Sequence, residues 1–492
     1  MIDRRSVLAG AAAVGAASLA RPLASAAFDG AALRNDVAIL RRAYTLLHPG
    51  LLRYATPSEV SARFDRLEVD FARQANLNEA YLTLSRFLAT VRCGHTYANF
   101  FNQSDKTASA LFAGADKLPF EFRWLDERMI VTRNRSRDAR LTPGTEVVEI
   151  DGRPASTILR DLLPFARADG GNDAKRRALL EVRGADRYET FDVFFALAFP
   201  PKAGAFRLRV RTPAGAEAAF DLPAIDLAER RRLLPAEAAE NAPKWKLSYP
   251  AERIALLKMP DWTMYNTKWN WQAFLDATFA EVADRKAKGL IVDLRGNEGG
   301  NDCGNDIIAR LIDRDLPLAA YERRVRYRRT PRDLDAYLDT WDPSFKRLGE
   351  NAIDVGNGFY RLPSDPDSNN DDVNLIRPKG PRFNGGVFVL IDAQNSSATF
   401  QFASAMQTNR LGRLVGQPTG GNQRGINGGG FFFLRLPASG LEADLPLIGT
   451  FPRTPKPDAG LMPDILVAPS REDIASGRDR VLETAVGLLA RA

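Results

Sequence analysis

The chain has 492 residues, 45% of them hydrophobic and 26% charged, which is the balance of an ordinary globular protein and excludes a disordered or collagen-like one. That length has room for roughly two to four domains. Lys and Arg outnumber Asp and Glu by 68 to 61, an excess too small and too scattered to argue for nucleic acid as a partner.

The N-terminus carries Arg4-Arg5, an apolar run from Val7 to Ala20, Arg21-Pro22 and then Ala24-Ser25-Ala26. A run this short cannot span a bilayer, so residues 1–26 read as an export signal cleaved after Ala26. Arg4-Arg5 with Ser6-Val7-Leu8 resembles the twin-arginine type, with a general secretory signal as the alternative. No later stretch is apolar enough for a span. A periplasmic or secreted protein without stable membrane insertion is expected, in a compartment where disulfides persist.

Residues 28–110 have a helical pattern and form the expected N-terminal helical domain. Thr56-Pro57-Ser58-Glu59 has the spacing of a capping box with proline in the first turn. A second amphipathic helix places Tyr81, Leu84, Leu88 and Val91 on one stripe, with Gly94 expected as its C-cap and His95 just beyond. From 115 to 225 short strands and turns take over. Leu141 to Pro154, with the turn Asp151-Gly152, resembles the core strand and tight turn of a PDZ domain; an apolar helix through Ile158, Leu159 and Leu162 follows. An unrelated small β-domain is the alternative.

Residues 245–490 alternate buried strands with helices, as an α/β core with mostly parallel strands does. The expected strands are Arg253 to Met259, Leu290 to Leu294, Val387 to Ile391 and Leu414-Val415. The expected helices run from Trp271 to Lys286, through Ile307, Ile308, Leu311 and Ile312, and from Ser397 to Gln407. An insertion falls at about 320–383, and a hairpin is expected around Pro437-Ala438-Ser439-Gly440. Within the insertion, Arg323 to Arg329 reads as a solvated basic strand, and Ser364 to Asp372 as a solvated acidic loop that lacks the glycine and glutamate of a calcium loop.

Two turns could carry chemistry. Asp293-Leu294-Arg295-Gly296-Asn297-Glu298-Gly299-Gly300 lets backbone N–H groups converge without Cβ obstruction, as an oxyanion hole or a phosphate cradle requires, but no Lys-Ser or Lys-Thr closes it as a P-loop. Asp392-Ala393-Gln394-Asn395-Ser396-Ser397-Ala398 enters a helix, where a serine is either a cap or a nucleophile.

Taken together in this order, and with Ala405-Met406-Gln407, Leu414 to Gly420 and Gly460-Leu461-Met462-Pro463-Asp464, these segments resemble the tail-specific, C-terminal processing serine peptidases. The resemblance implies a ClpP/crotonase-like α/β core beside a PDZ-like domain, no cofactor and no metal, and a peptide or protein as substrate. It carries the nucleophile onto Ser397, with Ser396 as the less favoured neighbour, and the oxyanion donors onto Gly299, Gly300 and Ala398. It also carries the Ser-Lys branch's lysine onto Asn422, an amide that cannot take a serine's proton. Cys93-Gly94-His95-Thr96 resembles instead the Gly-His-Thr motif of the tricorn-like branch, which implies His95 as general base. His48, in a His-Pro-Gly turn, reads as structural. The same branch implies a carboxylate before the closing segment, for which Asp458 is the candidate. A non-catalytic binding protein on the same fold is the competing reading, and acyl-CoA chemistry a weaker third, since an exported protein would not meet coenzyme A. If His95 and the glycine turn converge, Cys93 and Cys303 approach one region, as a disulfide or as two separate buried thiols.

Overall fold

The computed structural model describes residues 28–235, 241–318, 321–363 and 375–491. The export signal expected at 1–26 and the acidic loop from Ser364 to Asp372 lie outside the described residues.

The chain opens with the helices Gly30–Leu47, Pro57–Phe71, Leu77–Ala89 and Asp105–Phe112. The second starts as its sequence dictates: Thr56 Oγ1 accepts from the Glu59 N–H at 3.3 Å, and the Glu59 carboxylate accepts from the Thr56 N–H at 2.7 Å. The third buries Tyr81, Leu84 and Leu88 but stops at Ala89, with Thr90 rather than Gly94 as its cap. Arg92 turns the chain at φ 56°, and the Gly94 N–H donates to Asp169 Oδ1 at 2.9 Å. Gly94 therefore belongs to the loop that carries His95.

A six-stranded antiparallel sheet follows, built from Phe120–Leu125, Arg128–Asn134, Glu146–Ile150, Arg153–Pro154, Ala205–Arg211 and Glu217–Pro223. Asp151 and Gly152 both have positive φ, 51° and 77°, the mirror-image turn that matches the twist of a hairpin. Helix Ala155–Leu162 comes next. One apolar core joins Leu40, Tyr44 and Phe64 of the first helices to Phe122, Ile158 and Phe191 of the sheet region and to Leu445 and Leu447 near the C-terminus. Each such side chain contributes about 1.5–3 kcal/mol when fully buried. Packing therefore runs unbroken across residues 110–115, where the sequence pattern changes from helical to extended.

The second half is organised by a sheet in the order Ile465–Leu466, Arg413–Gly416, Gly386–Ile391, Gly289–Asp293, Ile254–Lys258, Lys246–Ala251, parallel except for the last pair. Every residue of Gly289–Asp293 is buried, because helices cover both faces. Trp271–Asp284, Cys303–Ile308 and Ser397–Thr408 pack on one face and Arg480–Ala490 on the other. The second of these is shorter than expected; Leu311 and Ile312 are buried in the turn beyond it. Asp293 pairs with Leu390 in the sheet, so the turns that leave these two neighbouring strands emerge side by side.

A third, antiparallel sheet unites the long hairpin Asn427–Arg435 and Glu442–Pro452 with Leu338–Asp339, Tyr321–Val325, Tyr360–Arg361 and Ile353–Asp354. The basic strand expected to be solvated lies inside this sheet, between Glu442–Pro452 and Tyr360–Arg361. Arg324, 5.1 Å over Phe451, and Arg326, 4.7 Å over Phe359, are half-buried, while Arg328, 4.6 Å over Tyr360, and Arg329 are exposed as expected. Cys93 and Cys303 are separate, buried free thiols, and Cys93 Sγ accepts from Asn427 Nδ2 at 3.3 Å. Among the described residues no helix is long and apolar enough to cross a membrane.

Candidate active site

Hydrogen bonds stitch the two turns together. The Asp392 carboxylate accepts from the Gly296 N–H, at 3.1 Å from each oxygen. Asn395 Nδ2 donates to the Leu294 and Asn297 carbonyls at 2.6 and 3.0 Å, and Thr399 Oγ1 donates to the Asn297 carbonyl at 3.0 Å. Side chains of the second turn thus satisfy polar backbone groups of the first, in a place too buried for water to do so. The two serines part company here. Ser396 is buried and its Oγ donates to the Glu298 carbonyl at 3.2 Å, so although it occupies the N-cap position its hydroxyl caps nothing. Ser397 is half-buried in the cavity wall, its Oγ makes no hydrogen bond among the described residues, and its backbone stands at φ 51°. A left-handed serine costs about 1–3 kcal/mol, strain of the kind that accumulates at functional turns between a strand and a helix.

Gly299 has φ 105°, and a Cβ on it would meet Ala398 N, Ser396 O and Ser397 Cβ at 2.9 Å each. Only glycine lets the turn come this close to the start of the serine's helix. Its own N–H is taken, donating to Asn297 Oδ1 at 2.9 Å, so of the three expected oxyanion donors Gly299 serves by its missing side chain. The Gly300 and Ala398 N–H groups have no acceptor among the described residues, and no side chain caps the helix Ser397–Thr408, whose first residue lines the cavity.

That cavity is lined by Ser397, Gly299 and Gly300 and by His95. No hydrogen bond joins Ser397 to His95 among the described residues, and His95 Nδ1 is buried without a partner. Burial first, and then the Arg167 cation, push the imidazole down to about 4, while Glu298 works the other way. Neutral imidazole is thus the form present near neutral pH.

Between the two sides lies a buried ion cluster. Glu298 pairs with Arg167 at 3.1 Å and with Lys175 at 3.2 Å. Burial works to raise the Glu298 carboxyl, yet Lys175 and Arg167 together hold it well below the usual range, and burial pushes the Lys175 ammonium down. Arg167 also stacks 4.3 Å over the Tyr97 ring. Asp169 and Asp444 complete the wall; burial raises both, Asp444 to about 7 although Asn102 and Asn99 donate to it.

Asp458 is not brought to His95. Its Oδ1 accepts from Asn422 Nδ2 at 2.6 Å and from the Gly171 N–H at 3.1 Å, outside the cavity lining. Asn422 is fully buried and uses its amide as a structural clamp, donating also to the Asp169 carbonyl at 3.2 Å. His48 is structural too: Nδ1 accepts from the Gly50 N–H at 3.0 Å, which leaves Nε2 to donate to Thr96 Oγ1 at 2.8 Å and steady the loop behind His95. Sequence reasoning did not single out Arg167, Lys175, Asp169 or Asp444. The available signal was the segment Arg167-Ala168-Asp169-Gly170-Gly171, a charged, glycine-rich interruption in an otherwise apolar region.

Residues 253–428 match peptidase family S41. No curated protein matches the chain in sequence. Among solved structures, mature CPAF complexed with lactacystin is similar with a TM-score of 0.65 and 16% identity, over 93% of this chain and 97% of that one. A crystal structure of mature CPAF is similar with a TM-score of 0.61 and 15% identity, over 93% of this chain and 96% of that one. Identities this low speak for a shared fold alone, while the matched stretch contains both stitched turns and both serines. With the match confined to residues 253–428, what stands is the activity class: the chain is a serine-type peptidase, with peptides or proteins as its substrates.

Proposed function

We propose that this chain is an exported peptidase that cleaves peptide bonds through an acyl-enzyme on Ser397, with His95 as general base. The observation that carries the reading is Ser397 itself, held at φ 51° with an unengaged hydroxyl beside two unengaged N–H groups. Its Oγ attacks the substrate carbonyl carbon as the imidazole takes its proton, and the Gly300 and Ala398 N–H groups receive the charge that develops on the carbonyl oxygen. The imidazolium then gives that proton to the leaving amine, and water, activated the same way, releases the acyl group. With no carboxylate on Nδ1, the charged imidazole is supported at a distance by Glu298. Serine–histidine hydrogen bonds are often long before substrate arrives and tighten in the complex.

In this reading the antiparallel sheet of residues 120–223 is the PDZ-like unit, and export rests on the leader sequence alone. The test is a fluorophosphonate probe followed by peptide mapping. Covalent labelling at Ser397 that disappears in Ser397→Ala and slows in His95→Gln is expected; folded protein that takes no label would favour a binding protein on the same fold.

A further inference from the structure

We infer that Lys175 is a positioning residue that pins the nucleophile's loop to the glycine turn; this rests on the acyl-enzyme reading for Ser397. Lys175 belongs to the helix Asp173–Leu179, outside the stretch that matches the peptidase family, and its side chain is only 4% exposed. An ammonium has three hydrogens, and here each has an acceptor: the Gln394 carbonyl at 2.9 Å, Gln394 Oε1 at 3.0 Å and Glu298 Oε1 at 3.2 Å. Gln394 lies just upstream of Ser397, and Glu298 immediately precedes Gly299. One cation therefore grips both loops that form the reacting side of the cavity. The grip is mutual, because Gln394 Nε2 donates back to the Ala178 carbonyl at 2.8 Å on the same helix.

This geometry also decides what Lys175 does not do. To accept the serine's proton it would first have to lose one of its own, and with it one of three buried contacts. A saturated ammonium is a fastener, and it does not replace the lysine absent at Asn422. Because a displacement of about 1 Å at reacting atoms can cost about 10²-fold, loosening the fastener should lower turnover without weakening substrate binding. The charged groups facing His95 are Arg167, Glu298 and Lys175, with Asp169 and Asp444 also on the cavity wall. Removing one cation from that set makes the imidazole easier to protonate.

The experiment compares Lys175→Met and Gln394→Ala with the wild type. It measures kcat and KM on a peptide substrate, the rate of fluorophosphonate labelling at Ser397, the pH profile and Tm. Lys175→Met should lose about 10²-fold in kcat and in labelling rate with KM within a few-fold, and its acidic limb should move to higher pH. Gln394→Ala keeps the cation, so it should lower kcat with the limb in place, and it decides the matter should Lys175→Met fail to fold. Unchanged kcat in a folded variant, or a rise in KM alone, overturns the proposal. So does a wild-type activity that rises only at alkaline pH and is abolished by Lys175→Met, because the lysine would then be the base. If wild-type protein takes no label at Ser397, the acyl-enzyme reading itself has failed.

Discussion

The two sides of the cavity are built in different ways. On the Ser397 side, the turn after Ile391 satisfies backbone groups of the turn after Asp293 through Asp392, Asn395 and Thr399, and Ser397 stands at φ 51° beyond that lock. On the other side, His95 hangs on a loop between a helix and a distant hairpin, Nδ1 has no partner among the described residues, and its electrostatic surroundings come from Arg167, Lys175 and Glu298. The first side is held rigidly before substrate arrives. The second has a neutral imidazole with no hydrogen bond to Ser397, and on the proposed reading substrate completes the geometry there.

Substitutions can break this contrast, beginning where the effect is greatest. Ser397→Ala should lower turnover by about 10⁴–10⁶-fold, whereas Ser396→Ala, which loses one hydrogen bond to a carbonyl, should stay within about tenfold; steady-state kinetics on one peptide separates them. Gly299→Ala puts a Cβ against the backbone of Ser396 and Ala398 at φ 105°. A loss of about 10²–10³-fold in kcat is expected, comparable to removal of an oxyanion donor, together with a lower Tm.

The base side gives a pH test. Only neutral imidazole accepts a proton, and its protonation lies near 4 rather than the ordinary 6.5, so activity should rise as pH increases through about 4 and be flat from about 6 upward. A limb centred near 6.5 in the wild type would mean that substrate-free burial does not describe the working site; a limb retained by His95→Gln would remove His95 from the reaction. The smallest effect is expected at Asp458. A carboxylate that orients a catalytic histidine is worth about 10⁴-fold, but one bonded to Asn422 and Gly171 is not in that position, so Asp458→Asn should cost less than about tenfold in kcat/KM.

What the sequence made legible follows the same division. The parallel strands and the turns after Asp293 and Ile391 were readable because their apolar runs, glycines and asparagines act locally. The Thr56 capping box was readable for the same reason. Gly94 is not a helix cap because its N–H partner, Asp169, is remote in sequence, and Arg324 and Arg326 read as solvated because Phe451 and Phe359, which cover them, are likewise remote. Lys175 left no local trace at all. A buried cation is recognisable only by its acceptors, and Gln394 and Glu298 lie far along the chain.

Both histidines, His48 and His95, precede residue 253, whereas Ser397 and the glycine turn lie within 253–428. A nascent chain emerging from the ribosome thus exposes His95 early and Ser397 late, and the hairpin that closes behind His95, with Asn427 reaching back 334 residues to Cys93, is made later still. On the proposed reading the site is therefore assembled through contacts of very large sequence separation, which makes its completion a slow part of folding.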